Sequence, residues 1–187
     1  MIKIGITGSL ASGKTTVAKI FAGRKFPLFN ADHEVKKIYK QKIFKKKISK
    51  KFKFKNLKNV KSEMKKIISK NINSIKELER MIHPIVRKKI KSFVKKNKKQ
   101  KIIFFEIPLL IESKLMKDYD VIIFVNSSKK IRKKRYLKRG KNEEIFNLLD
   151  KKQLSPQKKI KHSDYVINNN GSLKKLKKKI KTIQNKI

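Results

Sequence analysis

Hydrophobic positions along this chain fall into two kinds of run. The first kind is short: residues 2–7 (IKIGIT), 26–30 (FPLFN), 102–107 (IIFFEI), 121–125 (VIIFV) and 164–168 (DYVIN), of which 102–107 and 121–125 are continuous. Apolar runs of this length, closed by proline, glycine or asparagine, predict strands of a parallel sheet covered on both faces. The second kind repeats at helical spacing. It covers residues 13–22 (GKTTVAKIFA), then Ile67, Ile68, Ile72, Ile75, Leu78 and Ile82, then Ile85, Val86, Ile90, Phe93 and Val94. Pro84 separates the last two sets and predicts a break or bend. Leu173, Leu176, Ile180 and Ile183 predict a final helix, with Ser172 as its N-cap. Residues 129–139 read as a helix dense in cations, while residues 45–59 are too lysine-rich to assign and read as loop. Strands alternating with helices predict an α/β sandwich with a mostly parallel sheet.

Composition narrows the picture. The 187 residues suit one domain with a small insert. Cysteine is absent, which excludes disulfides and thiolate metal sites, and no His/Cys metal constellation is present. The first nine residues lack signal-peptide architecture, and no window reaches the roughly 18 apolar residues of a membrane span. The expectation is a soluble, cytoplasmic protein without a membrane partner. The formal charge is +42, from 55 Lys+Arg against 13 Asp+Glu. Such a charge ordinarily points to nucleic acid. Here lysine is spread over every segment and only six cations are arginine, so the charge reads as a bias of the whole chain. The expectation is no specific nucleic-acid partner; a basic RNA-binding protein with a vestigial loop remains the distant alternative.

The candidate chemistry lies at residues 8–15, GSLASGKT, which fit G-x-x-x-x-G-K-[ST] between a predicted strand and a predicted helix. Gly8 and Gly13 permit backbone angles that a side chain would block. The backbone of Gly8, Ala11, Ser12, Gly13, Lys14, Thr15 and Thr16 can then wrap a phosphate at a helix N-terminus. Lys14 reaches the β and γ phosphates, and the Thr15 hydroxyl is the candidate ligand of Mg²⁺. A P-loop alone does not name a reaction: GTPases, ATPases and small-molecule kinases share it, and no GTPase signature such as N-K-x-D is visible. The layout suits a small kinase with a substrate-binding insert and a lid, and another small P-loop kinase acting on a nucleotide or similar metabolite stays open.

Five stretches in order carry a more specific resemblance: GITGSLASGKTTVAKIF with FPLFNADHEV, MIHPIVR (81–87), EIPLLIES (106–113), RYLKRG (135–140) and QLSPQKKIKHSDYVINNNG (153–171). Together they resemble the dephospho-CoA kinase family over nearly the whole chain. The resemblance implies a P-loop NTPase three-layer sandwich with a five-stranded parallel sheet. Its core would be residues 1–32, 101–131 and 160–187, its helical acceptor-binding insert about 33–100, and its lid about 132–159. It implies transfer of the γ-phosphoryl of ATP to the ribose 3′-hydroxyl of dephospho-CoA, giving coenzyme A and ADP, by a monomer or weak oligomer. Asp32 would be the general base, although an N-cap of the next helix is its other reading. Lys14 and Arg139 would serve catalysis, with Arg135 four residues from Arg139 on one helix face. His83, Pro84, Glu106 and Glu112 are further candidates with structural alternatives, Glu112 as a helix cap or a substrate contact. The sequence departs from the family pattern at Asn30, Leu10, Ala11, Gly140, Leu149 and Asn168.

Overall fold

The computed structural model describes residues 1–54, 60, 63 and 73–187. Contacts between Cα atoms divide these into two compact units, Met1–Asn30 with Asn97–Ile187, and Ala31–Lys96.

The first unit holds strands β1 (Ile2–Gly8), β2 (Leu28–Asn30), β3 (Ile102–Glu106), β4 (Val121–Asn126) and β5 (Tyr165–Asn168). All pairings are parallel and the order is β2-β3-β1-β4-β5. The strands lie at the five predicted places; β3 and β4 are apolar on both faces, while β1 presents Ile2, Ile4 and Ile6 to one. On one face, Ile4, Ile6, Phe104, Ile123, Val125 and Ile167 pack against α1 (Lys14–Ala22) and the last helix, α8 (Leu173–Gln184). The apolar stripe of α1 is Val17, Ala18, Phe21 and Ala22, and that of α8 is Leu176 and Ile180, all buried. Each phenylalanine or isoleucine so covered contributes about 1.5–3 kcal/mol. Ser172 caps α8 as expected, accepting from Lys175 N. On the other face, the Phe105 ring sits 6.0 Å from Phe29 and 5.2 Å from Tyr119. Gly5 opens this face of β1: a Cβ there would stand 2.6 Å from Leu110 Cδ1.

After β4 come α5 (Lys129–Leu137), α6 (Glu143–Lys151) and α7 (Pro156–Ile160). The expected helix over 129–139 ends early. Gly140, at φ 67°, follows it and donates its N–H to Leu137 O. A left-handed turn there suits glycine, which accounts for the residue standing where the family pattern has an aspartate.

The second unit holds α2 (Ala31–Lys40), α3 (Lys42–Phe52) and α4 (Asn73–Lys96). Two expectations are corrected here. Residues 45–52, read as loop, belong to the helix Lys42–Phe52, because Phe44 and Ile48 are buried four residues apart on one face of it; lysine is itself a good helix former. Of the remainder of that stretch, residues 55–59 lie outside the described residues. Second, α4 runs through Pro84 without a break. The hydrogen bond that proline forfeits is outweighed by apolar packing on both sides of it: Leu78 and Ile82 before, Ile85 and Val86 after, all against the Ile38, Phe44 and Ile48 cluster. The predicted helical positions Ile67, Ile68 and Ile72 lie outside the described residues.

Candidate active site

β1 delivers its C-terminal end, Gly8, to the loop that α1 closes. Ala11 and Gly13 both take left-handed angles, φ 59° and 97°. Two such residues curl the chain back, and Ser12 N donates to Ser9 O at 3.1 Å. Gly13 has no alternative residue: a Cβ there would stand 2.3 Å from Asn169 Nδ2. Gly8 is equally confined, since its Cβ would meet Val125 O at 2.5 Å. Lys14 is buried, and its Nζ donates to Ser9 O at 3.0 Å, folding the side chain back over the loop. Ser12 is fully buried and its Oγ has no hydrogen-bond partner. An orphaned hydroxyl inside a positively charged curl at a helix N-terminus suits a phosphate oxygen. Thr15 and Thr16 are exposed at the first turn of α1.

The end of β3 places a buried carboxylate beside this loop. Glu106 is 2% exposed. Its Oε1 accepts from Thr15 Oγ1 at 2.6 Å, and its Oε2 accepts from Asn30 Nδ2 at the end of β2. Register explains the meeting, since Asn30 pairs with Glu106, and Glu106 with Ile6. An aspartate at position 30 would set two carboxylates face to face; asparagine instead donates to Glu106. The oxygens of Thr15 and Glu106 form a hard donor pair of the kind Mg²⁺ takes alongside phosphate and water oxygens. No group of three or more histidine, cysteine or acidic side chains that could hold a metal is present among the described residues.

A second set of residues fastens the loop from outside, and sequence reasoning missed most of it. Arg132, buried, donates from Nε to Ser127 O at 3.1 Å and from Nη1 to Leu10 O at 3.4 Å. It is paired at 2.5 Å with Asp150 of α6, and its guanidinium lies over the Phe146 ring. Gln153 Oε1 accepts from Leu10 N at 2.9 Å. Leu10 is thus held by both its N–H and its carbonyl. Asn169 Nδ2 donates to Ser12 O at 2.8 Å. Arg135 donates to Ser12 O at 3.3 Å and to Asn169 O at 3.0 Å. Burial, with the nearby Arg139 charge, holds the Arg135 guanidinium below its ordinary value. The scarcity of arginine was the one sequence signal for Arg132, and it drew attention only to Arg135 and Arg139.

Arg139 is exposed in the turn after α5, so it does not share a helical face with Arg135 as the spacing predicted. Asp32 lies in the first turn of α2 and is exposed; the helix begins at Ala31, so the N-cap reading of Asp32 is not what the chain adopts. Glu112 is neither a cap nor an open contact: its Oε1 stands 2.6 Å from Lys159 Nζ.

A loop of this form, joining the central strand of an all-parallel sheet to a helix, with a carboxylate at the end of the neighbouring strand, defines a P-loop nucleotide-binding protein. The solved shikimate kinase of Bacteroides thetaiotaomicron shares the fold, with a TM-score of 0.54 at 14% identity over 98% of this chain and 96% of its own. The chain itself belongs to the dephospho-CoA kinase family, whose family model matches residues 2–175. It is 37% identical to the dephospho-CoA kinase of Fusobacterium nucleatum over 182 residues, covering 95% of this chain and 94% of that one. The Bartonella henselae dephospho-CoA kinase is 32% identical over 95% of this chain and 93% of its own. The solved dephospho-CoA kinase from Campylobacter jejuni superposes with a TM-score of 0.66 at 26% identity, over 98% of this chain and 96% of that one.

Proposed function

We propose that this enzyme transfers the γ-phosphoryl group of ATP to the ribose 3′-hydroxyl of dephospho-CoA, releasing coenzyme A and ADP. Membership of the family supports the reaction. The observation that carries the residue roles is the curl of residues 8–15 with its buried, unpartnered Ser12 hydroxyl.

Phosphoryl transfer needs charge neutralisation and in-line placement more than covalent help. In this reading the backbone of Gly8, Ala11, Ser12, Gly13, Lys14, Thr15 and Thr16 cradles the ATP phosphates, and Lys14 leaves Ser9 O to neutralise the β and γ oxygens. Thr15, with Glu106 beside it, would hold Mg²⁺, which supplies charge neutralisation between phosphates when bound. Asp32 is assigned as general base, orienting the 3′-hydroxyl and accepting its proton as the new O–P bond forms. The bond from the γ phosphorus to the bridging oxygen breaks, and ADP leaves with that electron pair. Arg139 would steady charge on the transferring group, while Arg135 braces the loop. The helical insert, about residues 33–100, is assigned to acceptor binding and about 132–159 to the lid. The described residues contain no helix long and apolar enough to cross a membrane.

Release of ADP measured with a panel of acceptors tests the substrate. Turnover of dephospho-CoA should exceed that of nucleosides and nucleotides; equal rates across the panel would reject this acceptor and favour a general nucleotide kinase.

A further inference from the structure

Two charged residues that the phosphoryl transfer does not use meet inside the first unit. Lys159 of α7 is 0% exposed, and its Nζ lies 2.6 Å from Glu112 Oε1, in the segment that follows β3. The contact is one of charge with charge rather than an aligned hydrogen bond, since Lys159 Nζ and Glu112 Oε2 are both buried without a hydrogen-bond partner. Removing two charges from water is costly, and an apolar pair of similar volume commonly serves stability as well or better. A contact of this kind is understandable where it fixes a geometry that interchangeable apolar packing would leave loose.

The geometry at stake is close by. Glu112 Oε1, the oxygen facing Lys159, also accepts from Leu154 N at 3.3 Å. The preceding residue, Gln153, accepts the Leu10 N–H of the P-loop at 2.9 Å. A continuous path therefore runs from Lys159 to Glu112, to the turn at 153–154, to the loop. Leu10 directly precedes Ala11, whose left-handed angle belongs to the curl.

We propose that Glu112 and Lys159 are positioning residues for ATP: their buried pair sets the turn carrying Gln153, and Gln153 holds the P-loop in its phosphate-binding shape. The proposal rests on the reading of residues 8–15 as the ATP site. It assigns the pair no contact with either substrate.

The test measures kcat, the KM of each substrate and the thermal midpoint for Gln153→Ala, Glu112→Gln, Lys159→Met and the charge-neutral double variant Glu112→Gln/Lys159→Met. Gln153→Ala should raise the KM for ATP by about tenfold, the scale of one lost hydrogen bond at a binding loop, and leave the KM for dephospho-CoA within about twofold. Glu112→Gln should do the same, and adding it to Gln153→Ala should bring little further change, because both act on one path. The double variant should recover its thermal midpoint, since no charge is left alone, but keep the raised KM for ATP, since no buried ion pair then fixes the turn carrying Gln153. Should a single charge variant fail to fold, Gln153→Ala and the double variant carry the same comparison. The proposal is overturned if the thermal midpoints fall while the KM for ATP stays put, or if both KM values rise together. Lys14→Ala separates the two readings. If it abolishes turnover while the Gln153 and Glu112 variants bind ATP normally, the positioning role alone is wrong. If it turns over normally, the ATP site itself is misassigned.

Discussion

At the residue scale, the P-loop of this chain carries a strained alanine. Ala11 sits at φ 59°, where a Cβ crowds the backbone at a cost of about 1 kcal/mol. Ala11→Gly should therefore raise stability by about 0.5–1 kcal/mol, read as a higher denaturant midpoint, with turnover retained. Gly13→Ala should do the opposite, since it combines φ 97° with a clash against Asn169, and should lose both loop shape and activity. Lys14→Ala should cut kcat/KM by about 10²-fold or more, with the circular dichroism spectrum unchanged. Asp32→Asn should lower kcat by about 10²–10⁴-fold with little change in substrate affinity. A silent Asp32→Asn would remove Asp32 from the mechanism and leave the P-loop assignment standing.

At the element scale, Glu34 links two helices of the Ala31–Lys96 unit. Glu34 of α2 accepts from Lys37 on its own helix at 2.7 Å and pairs with Lys89 of α4 at 2.9 Å. The Lys37 hydrogen bond, with help from Lys89, outweighs partial burial and holds the Glu34 carboxyl below the ordinary 4.5. A carboxylate with a depressed folded value stabilises the fold above its unfolded value, and that share is lost as pH falls through the folded one. Glu34→Gln should cost about 0.5–1 kcal/mol near neutral pH, and the difference from wild type should narrow as pH falls below the ordinary 4.5 and on through the lower folded value. A difference that persists at low pH would mean that the residue acts by packing rather than charge. The same unit holds Tyr39, whose phenol burial pushes up to about 12.

At the scale of the whole molecule, charge dominates. With 55 cationic against 13 acidic residues, self-repulsion opposes the folded state. Added salt screens it, so the thermal midpoint should rise between about 50 and about 500 mM NaCl, before any specific-ion effect. The same field should draw RNA weakly. Binding by counterion release falls steeply with salt, so retention seen at about 50 mM should vanish near physiological ionic strength. RNA binding that survives physiological salt, without ATP turnover, would support the nucleic-acid alternative instead.

The sequence by itself determined the strands, the P-loop and the family. These are local: five apolar runs suffice to mark buried parallel strands, and the glycines, Lys14 and Thr15 of the loop are neighbours in the chain. It also placed Glu106 at a strand end, near the metal or merely structural, without naming Thr15 and Asn30 as its partners. Tertiary structure decided everything that depends on register and on separate segments converging. Asn30, Thr15 and Glu106 come together because β2, β3 and β1 lie side by side. Arg132, Gln153 and Asn169 reach the loop from more than a hundred residues away, and no periodicity encodes such a contact. Two local readings failed for the same reason. Lysine density argued against helix at residues 45–52, and Pro84 argued for a break in α4, yet the shared cluster around Ile38, Phe44 and Leu78 overrode both. Burial of an apolar face outweighs local propensity, and which face is buried is settled only when the chain is folded.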